Sequence, residues 1–265
     1  MLFLVVKAAK LKTGKIGTFD EHKINRDSDG KFSSKPGSKK VSPKKKTEST
    51  NGPSLDDYLA ATPSAQEAML GKSKASLLKG QEKWRTELSR EEKTAISDYT
   101  SELYEDINES LRKGAVPSGL KSTIQTLDRA IAKSTIPHDV TLFRGVQSRR
   151  LLDKAVANGS PSFTDLGFSS TSISHNTAAG FTPEDRPVML AIRVKKGQKG
   201  AFLGKNLSAE PAENEVLLPR NARFTITGKS VKKINASGGR SSASNSGGAF
   251  DVEVFEVEYD DAAAP

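Results

Sequence analysis

The sequence predicts an α+β fold in which helices come first and antiparallel strands follow, and two changes of pattern carry that expectation. Between residues 89 and 133 apolar side chains recur at three- and four-residue steps, the spacing of one helix face. After Pro137 the apolar residues gather into short β-rich runs bounded by Gly, Pro, Ser and Asn. Helices and strands segregated in this way pack as an α+β domain.

The 265 residues suit one large core with tails, and a hydrophobic content of 35% is adequate for that core. Residues 1–50 hold 13 Lys and Arg against 5 Asp and Glu, whereas the rest hold 28 against 27, so the net charge of +9 belongs to the N-terminal tail. A basic tail serves either as a soluble spacer or as a weak nucleic-acid contact. Residues 14–53, rich in Lys, Ser, Gly and Pro, bury too little apolar surface to offset their ordering entropy and are expected to be disordered. The expected division is a basic tail, residues 1–53, and a folded domain, residues 54–265, with its core at about residues 84–259. Cysteine is absent, which excludes disulfides and thiol chemistry. His22, His138 and His175 match no metal-ligand spacing, so no metal is expected. The opening MLFLVV is too short for a membrane span or for the apolar region of a secretory signal, and neither is expected.

Taking the elements in order, small helices are expected over residues 55–84, broken at Pro63, Gly71 and Gly80. Ser89, with Glu92 three residues on, reads as a capping box. Ile96, Tyr99, Leu103, Ile107 and Leu111 then form the apolar stripe of one helix, which Gly114 stops. A second amphipathic helix covers about residues 120–133. Six strand runs follow: VTLFRG, SFTDLGFSS, VMLAIRV, NEVLLP, RFTITGKSV and AFDVEVFEVEYD. In the last, Phe250, Val252 and Val254 alternate in one phase and Phe255, Val257 and Tyr259 in the other, which predicts a β-bulge between them. Residues 235–248, NASGGRSSASNSGG, read as a flexible loop joining the last two strands.

Three short stretches carry the chemistry. FSSTSISHNTAAGF, residues 168–181, sets Ser169, Ser170, Thr171 and Ser172 between Phe168 and Phe181. Hydroxyl runs compete for backbone hydrogen bonds and, taken alone, mark a turn or cap. TLFRG ends an apolar strand on Arg144, whose forked guanidinium suits a phosphate, beside Gly145, which lets a flat ligand approach the main chain. A surface ion pair is the plain alternative. AENEVLLPR places Glu213 and Glu215 at i and i+2, which on a strand puts both carboxylates on one face, roughly 6.5–7 Å apart. Such a pair is either a solvated strand entrance or a division of labour, one acid stabilising charge and the other taking a proton.

In this order, Arg, then aromatic-x-Ser-Thr-Ser, then Glu-x-Glu resembles the signature of the Arg-Ser-Glu class of mono-ADP-ribosyltransferases, which includes binary-toxin components, exoenzymes and phage enzymes. YTSELYEDINESLR, LDRAI and ENEVLLPRNARFTI extend the resemblance over residues 84–259. It implies a pair of roughly perpendicular antiparallel sheets with NAD, a co-substrate, in the cleft between them and helices to one side. It implies further that Arg144 holds the NAD phosphates, that the Gly145 main chain meets the nicotinamide amide, and that Ser170 orients the catalytic Glu215. Thr171 and Ser172 would steady the strand and the nicotinamide pocket, Phe181 would pack on the nicotinamide ring, and Tyr99 would line the cleft. Glu213 matches a position that is glutamate in arginine-modifying members, which implies an acceptor arginine on a target protein; with a phage source, that target is expected to be a protein of the bacterial host. GKNLSAEPAENE lacks the aromatic residue that many relatives use there for target recognition, with Ala209, Glu210 and Pro211 in its place. RDSDGKFSS, residues 26–34, resembles an element at the ends of tailed-phage proteins, which implies a virion or host-cytoplasm location, or else a secreted effector without a cleavable signal. NAD glycohydrolysis, with water as acceptor, shares the NAD half of such a site. A structural or DNA-associated virion protein with a vestigial fold is the reading that the tail's charge suggests.

Overall fold

The computed structural model describes residues 53–157, 159, 161–235, 249–262 and 264–265. The expectations for the basic tail and for the loop after Asn235 lie outside the described residues.

Several helices begin where the sequence supplies a cap. Ser54 opens α1 (Leu55–Ala60) through a capping box with Asp57, and Thr62 with Pro63 opens α2 (Pro63–Gly80). Gly71 does not break α2, because the 18-residue helix absorbs the intrinsic penalty of about 1 kcal/mol for an internal glycine. After α3 (Glu82–Glu87), the box of Ser89 and Glu92 opens α4 (Arg90–Asp98). The expected long helix is then interrupted. Residues Tyr99–Leu103 form one π-helical turn, and the chain resumes as α5 (Tyr104–Lys113) until Gly114, at φ 70°, ends it. Ile96, Tyr99, Ile107 and Leu111 nevertheless bury their side chains, against α6 (Ser118–Ala132) and its neighbours.

The remaining elements are β1 (Val140–Gly145), α7 (Arg150–Ala157), β2 (Ser162–Asp165), β3 (Ser169–Ser172), α8 (His175–Ala179), β4 (Val188–Val194), β5 (Ala201–Phe202), β6 (Glu215–Leu218), β7 (Ala222–Asn235) and β8 (Ala249–Asp260). They hydrogen-bond in the order β2-β7-β8-β4-β1-β3-β6-β5. Pairing is antiparallel throughout except between β4 and β8, which run parallel. Between β1 and β3 the ladder narrows to one registered pair, Phe143 with Ser172, so two arms of strands meet at that point. The run SFTDLGFSS supplies two strands, β2 and β3, one at the edge of the order and one beside its centre. A Cβ on Gly167, in the turn between them, would lie 2.7 Å from Asn108 Oδ1, so a side chain there would displace the Asn108 amide.

Side chains alternate between two cores along β1 and β4. Leu142, Leu190 and Ile192 join Val216, Leu218, Phe224 and Phe255 on one face, whereas Phe143, Met189 and Ala191 join Val252 and Val254 on the other. Leu55 and Tyr58 of α1 cover that second face, so packing extends upstream of Trp84. The phase change in β8 follows from this arrangement. Val254 and Phe255 are both buried because β8 has a core on each side, and the register slip lies in β7, between Ile226 and Gly228, rather than in β8.

Candidate active site

The hydroxyl run is the strand β3, and each hydroxyl has its own acceptor or donor. Ser169 Oγ donates to Asp165 Oδ2 at 3.2 Å, Thr171 Oγ1 to the Val216 carbonyl at 2.6 Å, and Ser172 Oγ to the Glu213 carbonyl at 2.6 Å. Ser170 Oγ lies 3.3 Å from Tyr99 Oη and close enough to the Glu215 carboxyl to favour its ionised form. The run thereby stitches β3 to β6 and to the turn before it. A turn begins at Ser172, whose Oγ accepts the Ser174 N–H at 2.9 Å, and the cap follows at Ser174, which opens α8.

Glu215 begins β6 opposite Ser172 and is 7% exposed. Burial pushes its carboxyl up to about 7, with the Glu213 charge acting in the same direction and Ser170 and Arg144 opposing it. Glu213 does not share its strand. It ends a 3-10 turn, Pro211–Glu213, and Asn214 between the two acids is left-handed at φ 51°. The two acids therefore do not sit on one face of a shared strand, yet their carboxylates are close enough for one to shift the other.

Arg144, near the end of β1, donates to the Ser170 carbonyl at 3.5 Å and lies 3.6 Å from Asp165 Oδ2. Arg112, at the end of α5, binds both oxygens of Asp165, at 2.8 and 3.0 Å. Burial alone would raise the pKa of Asp165, but the Arg144 and Arg112 guanidiniums outweigh it and hold the carboxyl below its ordinary value.

Gly145 is required for a different reason from the one its sequence neighbours suggest. A Cβ there would lie 2.5 Å from the Ala178 carbonyl oxygen and 2.7 Å from the Phe181 carbonyl carbon. Protein, rather than a flat ligand, fills the space of the missing side chain. The Gln147 amide donates to the Phe181 carbonyl, which fixes that aromatic residue, half-buried, beside the end of β1.

Sequence reading missed Asn108, Asp165 and Arg112. Asn108 Oδ1 accepts from the Phe168 backbone N–H at 2.8 Å, which sets the amide's orientation, and its Nδ2 donates to Tyr99 Oη at 2.9 Å. Tyr99 Oη, having accepted there, shares a further hydrogen bond with Ser170, in which either hydroxyl can donate. Tyr99 is fully buried against Phe168, and burial pushes its phenol up to about 12, so it stays neutral. It stands behind Ser170, rather than on an exposed wall. The signals were weak: Asn108 is one polar residue beside the apolar stripe, and Asp165 reads as an ordinary acidic turn residue.

The structure thus gathers Arg144, Ser170, Thr171, Ser172, Glu213 and Glu215 where the two arms meet, with Tyr99 behind them and Gly145 packed against Phe181. A guanidinium beside a hydroxyl strand and a buried glutamate is the equipment of a site that binds an anion and works at one carboxylate. The ADP-ribosyltransferase exoenzyme family model matches residues 78–246, and the chain belongs to that family. The chain is 34% identical over 155 residues to the NAD(+)--arginine ADP-ribosyltransferase EFV of Enterococcus faecalis, a match covering 55% of this chain and 30% of that one. To the mono-ADP-ribosyltransferase C3 of Clostridium botulinum C phage it is 26% identical over 173 residues, 56% of this chain and 68% of that one. The fold resembles Plx2a, an ADP-ribosyltransferase toxin from Paenibacillus larvae, with TM-score 0.57 and 23% identity over 71% of this chain and 95% of that one. It also resembles the Clostridium limosum C3 exoenzyme, with TM-score 0.55 and 22% identity over 72% and 94%.

Proposed function

We propose that the chain is a mono-ADP-ribosyltransferase that moves ADP-ribose from NAD to an arginine of a target protein and releases nicotinamide. The observation that carries this reading is the unequal pair of acids: Glu215 buried, raised to about 7 and beside Ser170, with the half-buried Glu213 near enough to act on it. The donor set fits NAD. Arg144 spends long contacts on Asp165 and Ser170, and a guanidinium has five donors with which to bind a diphosphate as well. NAD, when bound, supplies the ribosyl group and nicotinamide as leaving group. Glu215, ionised, accepts from a ribose hydroxyl and stabilises positive charge developing beside it. Ser170 orients that carboxylate, Thr171 and Ser172 hold β3 against β6, the Gly145 main chain meets the amide, and Phe181 offers a flat wall to the ring. Glu213 binds the acceptor guanidinium, which is protonated and a poor nucleophile at neutral pH, and takes its proton.

In this reading residues 54–265 form the catalytic domain, the basic tail adds at most a weak nucleic-acid contact, and the target is a protein of a bacterial host. The phage origin of one relative supports the last point. The test is incubation of the purified protein with labelled NAD and a bacterial lysate beside Glu215→Gln and Glu213→Gln. Labelled bands should vanish in both variants, with NAD cleavage surviving only in Glu213→Gln. NAD cleavage by the wild type without labelling of protein or agmatine would make the enzyme a glycohydrolase, and no NAD consumption would favour the structural reading.

A further inference from the structure

The π turn that interrupts the long helix puts consecutive residues to work in two places. Tyr99 meets Ser170, behind Glu215. Thr100 accepts, at its Oγ1, the backbone N–H of Ala209 at 3.0 Å, and donates its own proton to the Ser97 carbonyl at 3.1 Å. Ala209 lies in the loop between β5 and β6, the loop that ends on Glu213.

That loop is built in stages. The Leu203 N–H bonds the Glu215 carbonyl at 3.0 Å and closes the base, and Leu207 is buried. The Ser208 N–H returns to the Gly204 carbonyl at 3.2 Å, and the Glu210 N–H to Ser208 Oγ at 3.1 Å. From Glu210 the 3-10 turn carries the chain to Glu213, whose carbonyl Ser172 holds. Ala209, on the helix side of the loop, enters this turn two residues before Pro211. Its tie to Thr100 therefore sets where the turn starts, and the turn sets where Glu213 points.

We propose that Thr100 is a positioning residue for the acceptor half of the reaction: it anchors the β5–β6 loop so that Glu213 meets the incoming guanidinium, and it contributes nothing to NAD binding. This rests on the arginine-transfer reading above. The hydrogen bond is exposed, so its loss moves the loop without unfolding the domain.

The experiment compares wild type, Thr100→Val and Thr100→Ser for NAD hydrolysis and for transfer to agmatine. Thr100→Val keeps the shape and loses the acceptor oxygen. Its hydrolysis should keep kcat and the KM for NAD within about twofold, while transfer falls about tenfold, the equivalent of one lost hydrogen bond, and Thr100→Ser restores it. Transfer and hydrolysis unchanged together, or reduced together, overturns the proposal while leaving arginine transfer standing. A wild type that hydrolyses NAD and modifies neither agmatine nor protein overturns the arginine-transfer reading, and this proposal with it.

Discussion

Arg144 leans on Asp165, its Nη2 3.6 Å from a carboxylate oxygen that Arg112 already binds. The acid is 6% exposed and serves both guanidiniums at once. Asp165→Asn removes the charge that fixes Arg144 and leaves two cations facing a neutral amide. Steady-state kinetics should show the KM for NAD rising about tenfold with little change in kcat, and chemical denaturation should show a loss of about 3 kcal/mol.

In the proposed mechanism Glu215 acts as a carboxylate, so NAD cleavage should rise with pH through about 7. Stability should move the opposite way. The folded-state value lies above the unfolded one, 4.5, so between those two pH values the unfolded chain releases its proton first and the fold loses stability as pH rises. Glu215→Gln removes that penalty. Its melting temperature should exceed that of the wild type above pH 7, by the equivalent of up to about 3 kcal/mol, and match it below pH 4.

His175 gives the fold an acid limit. Burial beside Tyr58 and Phe143 pulls its pKa down to about 4, below the ordinary 6.5. The unfolded chain binds the extra proton in that interval, so this residue makes stability rise with pH from about 4 to 6.5. The melting temperature of a His175→Phe variant should therefore gain on that of the wild type as pH falls from 6.5 to about 4.

Asn214 holds a left-handed backbone between the two acids. Asn214→Gly should keep both reactions, because glycine adopts that conformation without strain. Asn214→Val should cost about 2 kcal/mol in denaturation and reduce transfer more than hydrolysis, since the bend that separates Glu213 from β6 would be opposed by the branched side chain.

Gly145→Ala tests the packing at the end of β1. The added methyl would press on the Ala178 carbonyl and on Phe181, so backbone must shift. The expected outcome is a loss of about 1–3 kcal/mol together with weaker NAD binding, read by denaturation and by titration with NAD.

Much of this was legible in the chain. The Ser89 capping box, the Gly114 stop, the strand that carries Arg144 to Gly145 and the strand that opens near Glu215 follow from local rules that tertiary packing did not override. Arg144, Ser170 and Glu215 were identifiable because three motifs stand in one order. The rest depended on contacts distant in sequence. No glycine or proline marks the π turn at Tyr99, the polarity of Asn108 is set by a backbone N–H 60 residues away, and the departure of Glu213 from its strand hangs on one left-handed residue. The phase slip in β8 was real, but only the two cores on either side of it explain why no bulge accompanies it there.

The position of β8 has a kinetic consequence. Among the described strands it comes last in chain order and yet lies between β7 and β4. Until it inserts, the ladder consists of a β2–β7 ribbon and a separate five-stranded arm that already holds Arg144, Ser170 and Glu215. That arm presents Val188–Val194, an apolar strand, as an open edge. The pairing of β8 with β4 is therefore a contact distant in sequence, a slow class of event in folding, and until it forms the apolar edge of β4 is bare.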